Sequence, residues 1–229
     1  FMSENIKKIK FNTTIYYGEK SRFSVSQVLG EYGFKKPLII YDTSINLKNL
    51  KIDKLLRQFK KKNFFKISLN FEPTYQYLDF VRKEIQKKNF FFDSILTIGG
   101  GSTMDIGKSL AVVYNSKKNS IKFKGIHNTI SNKVLNVGCI PSTIGTGSEV
   151  TYKASLINEI DNVKFGINYI NNYPKFAILD PEIIKSAPLK IIISSGLDAL
   201  VHCLESHASI ISSEETKILS KFAFSKITN

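Results

Sequence analysis

Ser94-Ile95-Leu96-Thr97-Ile98-Gly99-Gly100-Gly101-Ser102-Thr103-Met104-Asp105 is the stretch on which the fold turns. Its short apolar run reads as a buried parallel strand, and that strand runs straight into three glycines and a hydroxyl. Glycine lets a backbone approach a ligand closely. The helix start expected next offers free N–H groups and the positive end of a dipole, a natural seat for a pyrophosphate. The spacing is not that of Gly-x-Gly-x-x-Gly, and a tight turn capped by Ser102 explains the same residues.

On either side of this junction the pattern alternates. Pro37-Leu38-Ile39-Ile40-Tyr41, ending at Asp42, reads as a strand. A lysine-rich helix is expected near residues 48–62, then a strand over Phe64–Leu69. Thr74 is placed to cap a helix running to about Lys87, with Tyr77, Leu78, Val81 and Ile85 on one face. Such alternation predicts a parallel sheet covered by helices. Residues 116–133 read as an irregular surface loop and Val134–Ile140 as a strand. Ala154–Ile157 and Lys164–Ile167 read as a hairpin, and Phe176–Leu179 as a last strand. After Pro188 the pattern is wholly helical, which places a boundary near residue 185. The expected organisation is an α/β domain over 1–185 and the beginning of a helical domain over 186–229.

The chain has 229 residues, 42% hydrophobic and 23% charged, enough for a substantial core. No apolar run approaches the roughly 20 residues of a membrane span, and the first residues lack the apolar block of a secretory signal. The net charge of +14 comes from lysines scattered in short runs such as Lys60-Lys61-Lys62, so nucleic acid is disfavoured as a partner. Cys139 and Cys203 form no Cys-x-x-Cys pair and sit among apolar neighbours, as expected of core residues in a reducing cytoplasm.

Two further stretches carry chemistry. Pro141-Ser142-Thr143-Ile144-Gly145-Thr146-Gly147-Ser148-Glu149 is a second loop of hydroxyls and glycines after a strand. Its Thr143, Thr146 and Ser148 suit phosphate, ribose or amide groups, and a capped turn is the plainer alternative. Loops at the carboxyl ends of strands are where open α/β folds bind ligands. Asp198 and His202 then lie four residues apart in a helical segment, so they share a face with Cβ atoms roughly 6 Å apart. A carboxylate and an imidazole suit Fe(II), Zn(II) or a similar ion, but make half a site.

In order and spacing, residues 99–105, 141–149 and 196–202 resemble the iron-containing (group III) alcohol dehydrogenase family. That family carries Gly-Gly-Gly-Ser-x-x-Asp, Pro-Thr-Thr-x-Gly-Thr-Gly-Ser-Glu and Gly-x-Asp-Ala-x-x-His. The resemblance spans about Tyr16 to Ser209 and includes Asp180-Pro181 and Pro188. It implies a dehydroquinate-synthase-like fold: a Rossmann-like parallel-sheet domain followed by an all-helical one. It also implies hydride transfer between an alcohol and an aldehyde or ketone with NAD, NADP being the second choice. By the same resemblance Asp198 and His202 are two of four protein ligands to the divalent metal. Asp42 would bind the adenine-ribose hydroxyls, a carboxylate favouring NAD; as a helix N-cap it would serve a plainer role. Gly100, Gly101, Ser102 and Asp105 would line the pyrophosphate, and Ser142, Thr143 and Thr146 would continue along the cofactor. Lys164 would lie near the nicotinamide ribose, although a lysine on a hairpin is ordinarily solvated. His127 and His207 fall off the ligand positions and are expected to pack. A homodimer is implied by resemblance alone.

Several residues depart from the family pattern. Ser142 stands for threonine and Ile144 for a smaller residue. Glu72 stands where Asn is usual, putting a carboxylate near the cofactor phosphates. The two remaining ligand histidines would lie past Asn229, so the helical domain is expected to be incomplete. A longer enzyme, a truncated nucleotide-binding module without turnover, and completion by a second chain are the three expectations that follow.

Overall fold

The computed structural model describes residues 11–69 and 72–228. Strand β1 (Thr14–Tyr17) precedes helix α1 (Val25–Glu31). Next come β2 (Pro37–Asp42), the single-turn α2 (Ile52–Leu55), β3 (Phe64–Ile67), α3 (Tyr75–Lys87), β4 (Ser94–Gly99) and α4 (Gly101–Val113). Strands β5 (Gly125–His127) and β6 (Asn136–Pro141) lead to the short β7 (Ile157–Asn158), β8 (Val163–Lys164) and β9 (Ile167–Tyr169). After β10 (Phe176–Leu179) come α5 (Pro181–Lys185) and two longer helices, α6 (Leu189–Ala208) and α7 (Glu214–Thr228). No described helix is long and apolar enough to cross a membrane.

Six strands form one sheet in the order β1-β10-β6-β4-β2-β3, and every pairing is parallel. Both faces are covered, which is why the strands read as unbroken apolar runs. Leu38, Ile40, Ile95, Val137 and Cys139 pack on one side with α3 and α4. Ile39, Leu96, Ile98, Phe176 and Ile178 face the other side, against α1, α2 and Ile183 of α5. The helix after β2 therefore lies on one face and the helix after β4 on the opposite one. Between these neighbouring strands the chain order reverses, and a crevice opens at their carboxyl ends.

The α/β class and most elements match expectation. Thr74 caps α3, its Oγ1 accepting the Tyr77 N–H at 3.0 Å. The helix expected over 48–62 is instead one turn and a 3-10 segment at Lys61–Asn63. Lys51, at φ 59°, stands left-handed just before α2, and Leu50, Ile52 and Leu56 are buried in an irregular path. Residues 116–133 are not a featureless loop. Arg82 Nη1 donates to the carbonyls of Val113, Ser116 and Lys118, and β5 pairs in parallel with β9. The hairpin survives as the β7–β8 pair only, because Ile167 joins β5 instead.

A buried ion pair ties the sheet to the start of the helical segment. Arg22 Nη1 reaches Asp180 Oδ2 at 2.7 Å, Nη2 reaches Glu182 at 2.5 Å, and Nε donates to the Leu50 carbonyl. Asp180 also caps α5 through the Glu182 N–H, so Asp180-Pro181 is a structural hinge pin. Burial opposes ionisation of Asp180. Hydrogen bonds from the Arg22 side chain and backbone and from the Glu182 N–H outweigh it and hold the carboxyl below its ordinary range. A depressed folded-state pKa stabilises above the unfolded value and loses that contribution as pH falls through the folded one. Arg22→Ala strands a buried carboxylate and is expected to cost about 3–5 kcal/mol in urea unfolding. The acid-side loss of stability expected of the wild type should also shrink in the variant. A cost below about 1 kcal/mol would show that the pair is dispensable.

Candidate functional site

Both glycine loops lie at the carboxyl ends of adjacent strands. The Ser142 N–H donates to the Gly99 carbonyl at 2.9 Å, which joins the loop after β6 to the loop after β4. Ser102 does not cap α4: the N-cap is Gly100, with no side-chain cap, so the amides of the first turn have no intrahelical acceptor. Close packing explains the glycines here. A Cβ on Gly101 would sit 2.8 Å from Thr146 Cγ2, and one on Gly100 would sit 3.3 Å from Thr143 Cγ2. Gly100, Gly101, Ser102, Ser142, Thr143 and Thr146 thus come together at the crevice. Thr143 Oγ1 is buried without a hydrogen-bond partner, a cost of about 1–3 kcal/mol that a polar ligand atom would remove. An uncapped helix start beside an orphaned hydroxyl fits a dinucleotide.

Asp105 faces inward rather than into open space. Its Oδ1 accepts from Ser148 Oγ at 2.6 Å and its Oδ2 from the Ser155 N–H at 3.0 Å. One turn on, Lys108 has no exposed surface, and its Nζ donates to the carbonyls of Ser148 (2.9 Å), Thr151 (3.3 Å) and Lys153, with Asp105 Oδ1 at 3.2 Å. Sequence reasoning missed this residue. Its signal was a lone cation in the otherwise uncharged stretch Ile106–Val113. Nearby, burial pushes the Glu149 carboxyl up, opposed by its own backbone N–H and by Lys108. Burial also drives the Cys139 thiol up to about 12, leaving it an inert core residue.

Asp42 stands at the end of β2, across the crevice from the first loop. It caps a turn, not a helix, with Oδ1 accepting from the N–H (2.7 Å) and hydroxyl (2.5 Å) of Ser44. Lys164 sits on the β7–β8 hairpin and pairs with Glu72 at 2.9 Å, both side chains exposed. His127 packs, its Nε2 at 2.8 Å from the Phe123 carbonyl, and His207 Nδ1 lies 3.5 Å from Ser220 Oγ.

Asp198 and His202 share one face of α6, with Oδ1 and Nε2 3.8 Å apart. His202 Nδ1 lies 3.0 Å from the Gly145 carbonyl, so the ring is held by the second glycine loop. A tetrahedral ion with bonds of ~2.1 Å sets its ligands ~3.4 Å apart, close to this gap, and carboxylate plus imidazole is a fitting donor set for iron or zinc. Among the described residues no cluster of three or more His, Cys, Asp or Glu side chains forms.

An open parallel sheet with a glycine loop at its switch point, bonded to a second glycine loop after the adjacent strand, is the architecture of dinucleotide-binding α/β proteins. This chain belongs to the iron-containing alcohol dehydrogenase family, whose sequence model matches residues 12–181. It is 34% identical over 158 residues to 4-hydroxybutyrate dehydrogenase of Clostridium kluyveri, covering 69% of this chain and 41% of that protein. Among solved structures, an alcohol dehydrogenase from Oenococcus oeni aligns with a TM-score of 0.82 at 26% identity, over 97% of this chain and 59% of that one. Sulfoacetaldehyde reductase from Bifidobacterium kashiwanohense, in complex with NAD+, aligns at 0.73 and 25% identity, over 88% and 53%. The chain thus spans about half the length of the relatives it matches.

Lys108→Met is expected to leave Asp105 and three carbonyls without their cation and to lower stability by about 3–5 kcal/mol in denaturant unfolding. Unchanged stability would show that the 148–153 segment holds itself in place.

Proposed function

We propose that this chain contributes the dinucleotide domain and the metal-bearing helix of an enzyme that interconverts an alcohol with an aldehyde or ketone. The observation that carries the reading is the junction of three motifs: two glycine loops bonded to each other at the switch point, and a helix carrying Asp198 and His202 seated on the second loop. Residues 1–185 would form the cofactor domain and 186–229 the start of the metal and substrate domain. In support of that division, Ile183 lies in the sheet core, whereas Ser195 is the one buried residue of α6.

In this reading the amides of Gly101 and Ser102 and the hydroxyls of Ser142, Thr143 and Thr146 bind the pyrophosphate and the groups beyond it. Asp42 receives the adenine-ribose hydroxyls, which selects NAD over NADP by repelling an added phosphate. Asp105 holds the loops in place from within, and Lys164 reaches toward the nicotinamide ribose. Asp198 Oδ1 and His202 Nε2 hold the cation, Fe(II) or Zn(II), which when bound supplies Lewis acidity toward the substrate oxygen. A small alcohol or aldehyde is the substrate class. Uncovered apolar side chains on α6 and α7, among them Leu197, Leu204 and Phe222, support burial against further protein, a second copy included. Two unpaired cysteines support a reducing, cytoplasmic setting.

Calorimetry should show NAD binding to the chain, with Thr143→Val weakening it by about 5- to 30-fold, the value of one or two kcal/mol. Asp42→Ala should narrow the preference for NAD over NADP. With Fe(II) or Zn(II) added, alcohol-dependent NADH formation should be lost in Asp198→Ala. Failure to bind either dinucleotide would remove the reading.

A further inference from the structure

We propose that Gly145 is a positioning residue for the metal helix: its backbone carbonyl fixes the tautomer of His202, and its lack of a side chain lets loop and helix approach closely enough to do so. The proposal rests on the reading of His202 as a metal ligand and goes beyond it, because it assigns a role to a residue that touches neither metal nor substrate.

Two independent observations meet at this residue. A carbonyl oxygen can only accept a hydrogen bond. The ring nitrogen 3.0 Å from the Gly145 oxygen, Nδ1, therefore carries the hydrogen. In the neutral ring that leaves the lone pair on Nε2, the atom 3.8 Å from Asp198 Oδ1. Two acceptors then face each other across a gap, an arrangement that a cation can bridge directly. The second observation is steric. Gly145 has φ +124°, and a Cβ there would stand 1.9 Å from the Ser195 carbonyl oxygen, 2.8 Å from its carbon and 3.3 Å from the Ala199 nitrogen. These are backbone atoms of α6 and cannot rotate aside. Reaching ordinary contact near 3.5 Å requires the helix or the loop to move by roughly 1.5 Å. Such a shift breaks the bond to His202 and turns Nε2 away from Asp198.

Gly145 also lies between Thr143 and Thr146, the residues assigned to the dinucleotide. The same short loop thus sets both the cofactor-facing hydroxyls and the orientation of the metal-facing ring.

Long-range proton–nitrogen NMR of the full chain without metal, in buffer about two pH units above the pKa of free imidazole near 6.5, reads the tautomer directly. The wild type is expected in the Nδ1–H form. Zinc titration should show Gly145→Ala binding about 10- to 100-fold more weakly than wild type, with the ring released to the Nε2–H form. Gly147→Ala is the control. Gly147 also has positive φ (+61°), but its Cβ would meet nothing nearer than 4.0 Å, so its variant should retain the tautomer and the zinc affinity. Wild-type His202 in the Nε2–H form, equal zinc affinity in Gly145→Ala, or equal loss in Gly147→Ala would each overturn the positioning role while leaving the metal reading intact. A wild type with the Nδ1–H ring that takes up no zinc would overturn the metal reading, and the positioning role with it. If Gly145→Ala does not fold, the wild-type tautomer and the wild-type zinc titration still test the carbonyl's part of the role.

Discussion

An ammonium group with no exposed surface holds the candidate site together. Lys108 projects from the helix that follows the first glycine loop and donates to three carbonyls just after the second, with Asp105 as its counter-charge. Dehydrating a cation costs several kcal/mol, so this arrangement persists only because every donor direction meets an oxygen. Segment 148–153 has no strand pairing of its own, and apart from a 3-10 turn its path follows this knot and the Asp105 bonds to Ser148 and Ser155. Both glycine loops are consequently preset, and Thr143 presents a buried, unbonded hydroxyl at no further ordering cost.

The sheet fixes where these loops are, and the helical arm is fixed at two places. Arg22 clamps Asp180 at the start of α5, where the chain leaves the sheet. Farther on, α6 touches the second glycine loop at Gly145, with Ser195 and His202 on the contact. The first clamp is buried and strong; the second depends on an exposed hydrogen bond and on close backbone packing. The clamp acts at α5, so the contact that sets the rotation of α6 is the one with the loop. The side chains of Asp198 and His202 and the hydroxyls of Thr143 and Thr146 share that constraint.

Much of this was legible in the residues. Buried parallel strands leave continuous apolar runs, so β2, β4, β6 and β10 were readable. Strand β1 was not, since it is a four-residue edge strand with mostly exposed side chains. The lysine-rich stretch around α2 suggested a longer helix because its apolar residues alone do not reveal a left-handed Lys51. The glycine loops and the Asp198–His202 spacing announced themselves by composition and period. Lys108, Arg22 and Gly145 did not, because their importance lies in partners 40 to 158 residues away. A cation inside an otherwise uncharged stretch was the one available hint. Asp105 was expected to line the pyrophosphate, whereas its observed partners are Ser148 and Ser155 of the neighbouring segment.

Glu72 illustrates how a departure in sequence can be neutralised in space. A carboxylate near phosphates is unfavourable on its own, yet here it is matched at 2.9 Å by Lys164. Both side chains are about half exposed, and such a pair contributes only about 0–1 kcal/mol. It therefore cancels the local negative field without fixing the lysine. A ribose hydroxyl or phosphate oxygen that competes for the ammonium has little to displace. Once Lys164 moves, however, Glu72 loses its partner and its charge is exposed to the same ligand. The hairpin's lysine and the carboxylate before α3 must accordingly be treated as one unit, whose field at a distance is smaller than that of either charge alone.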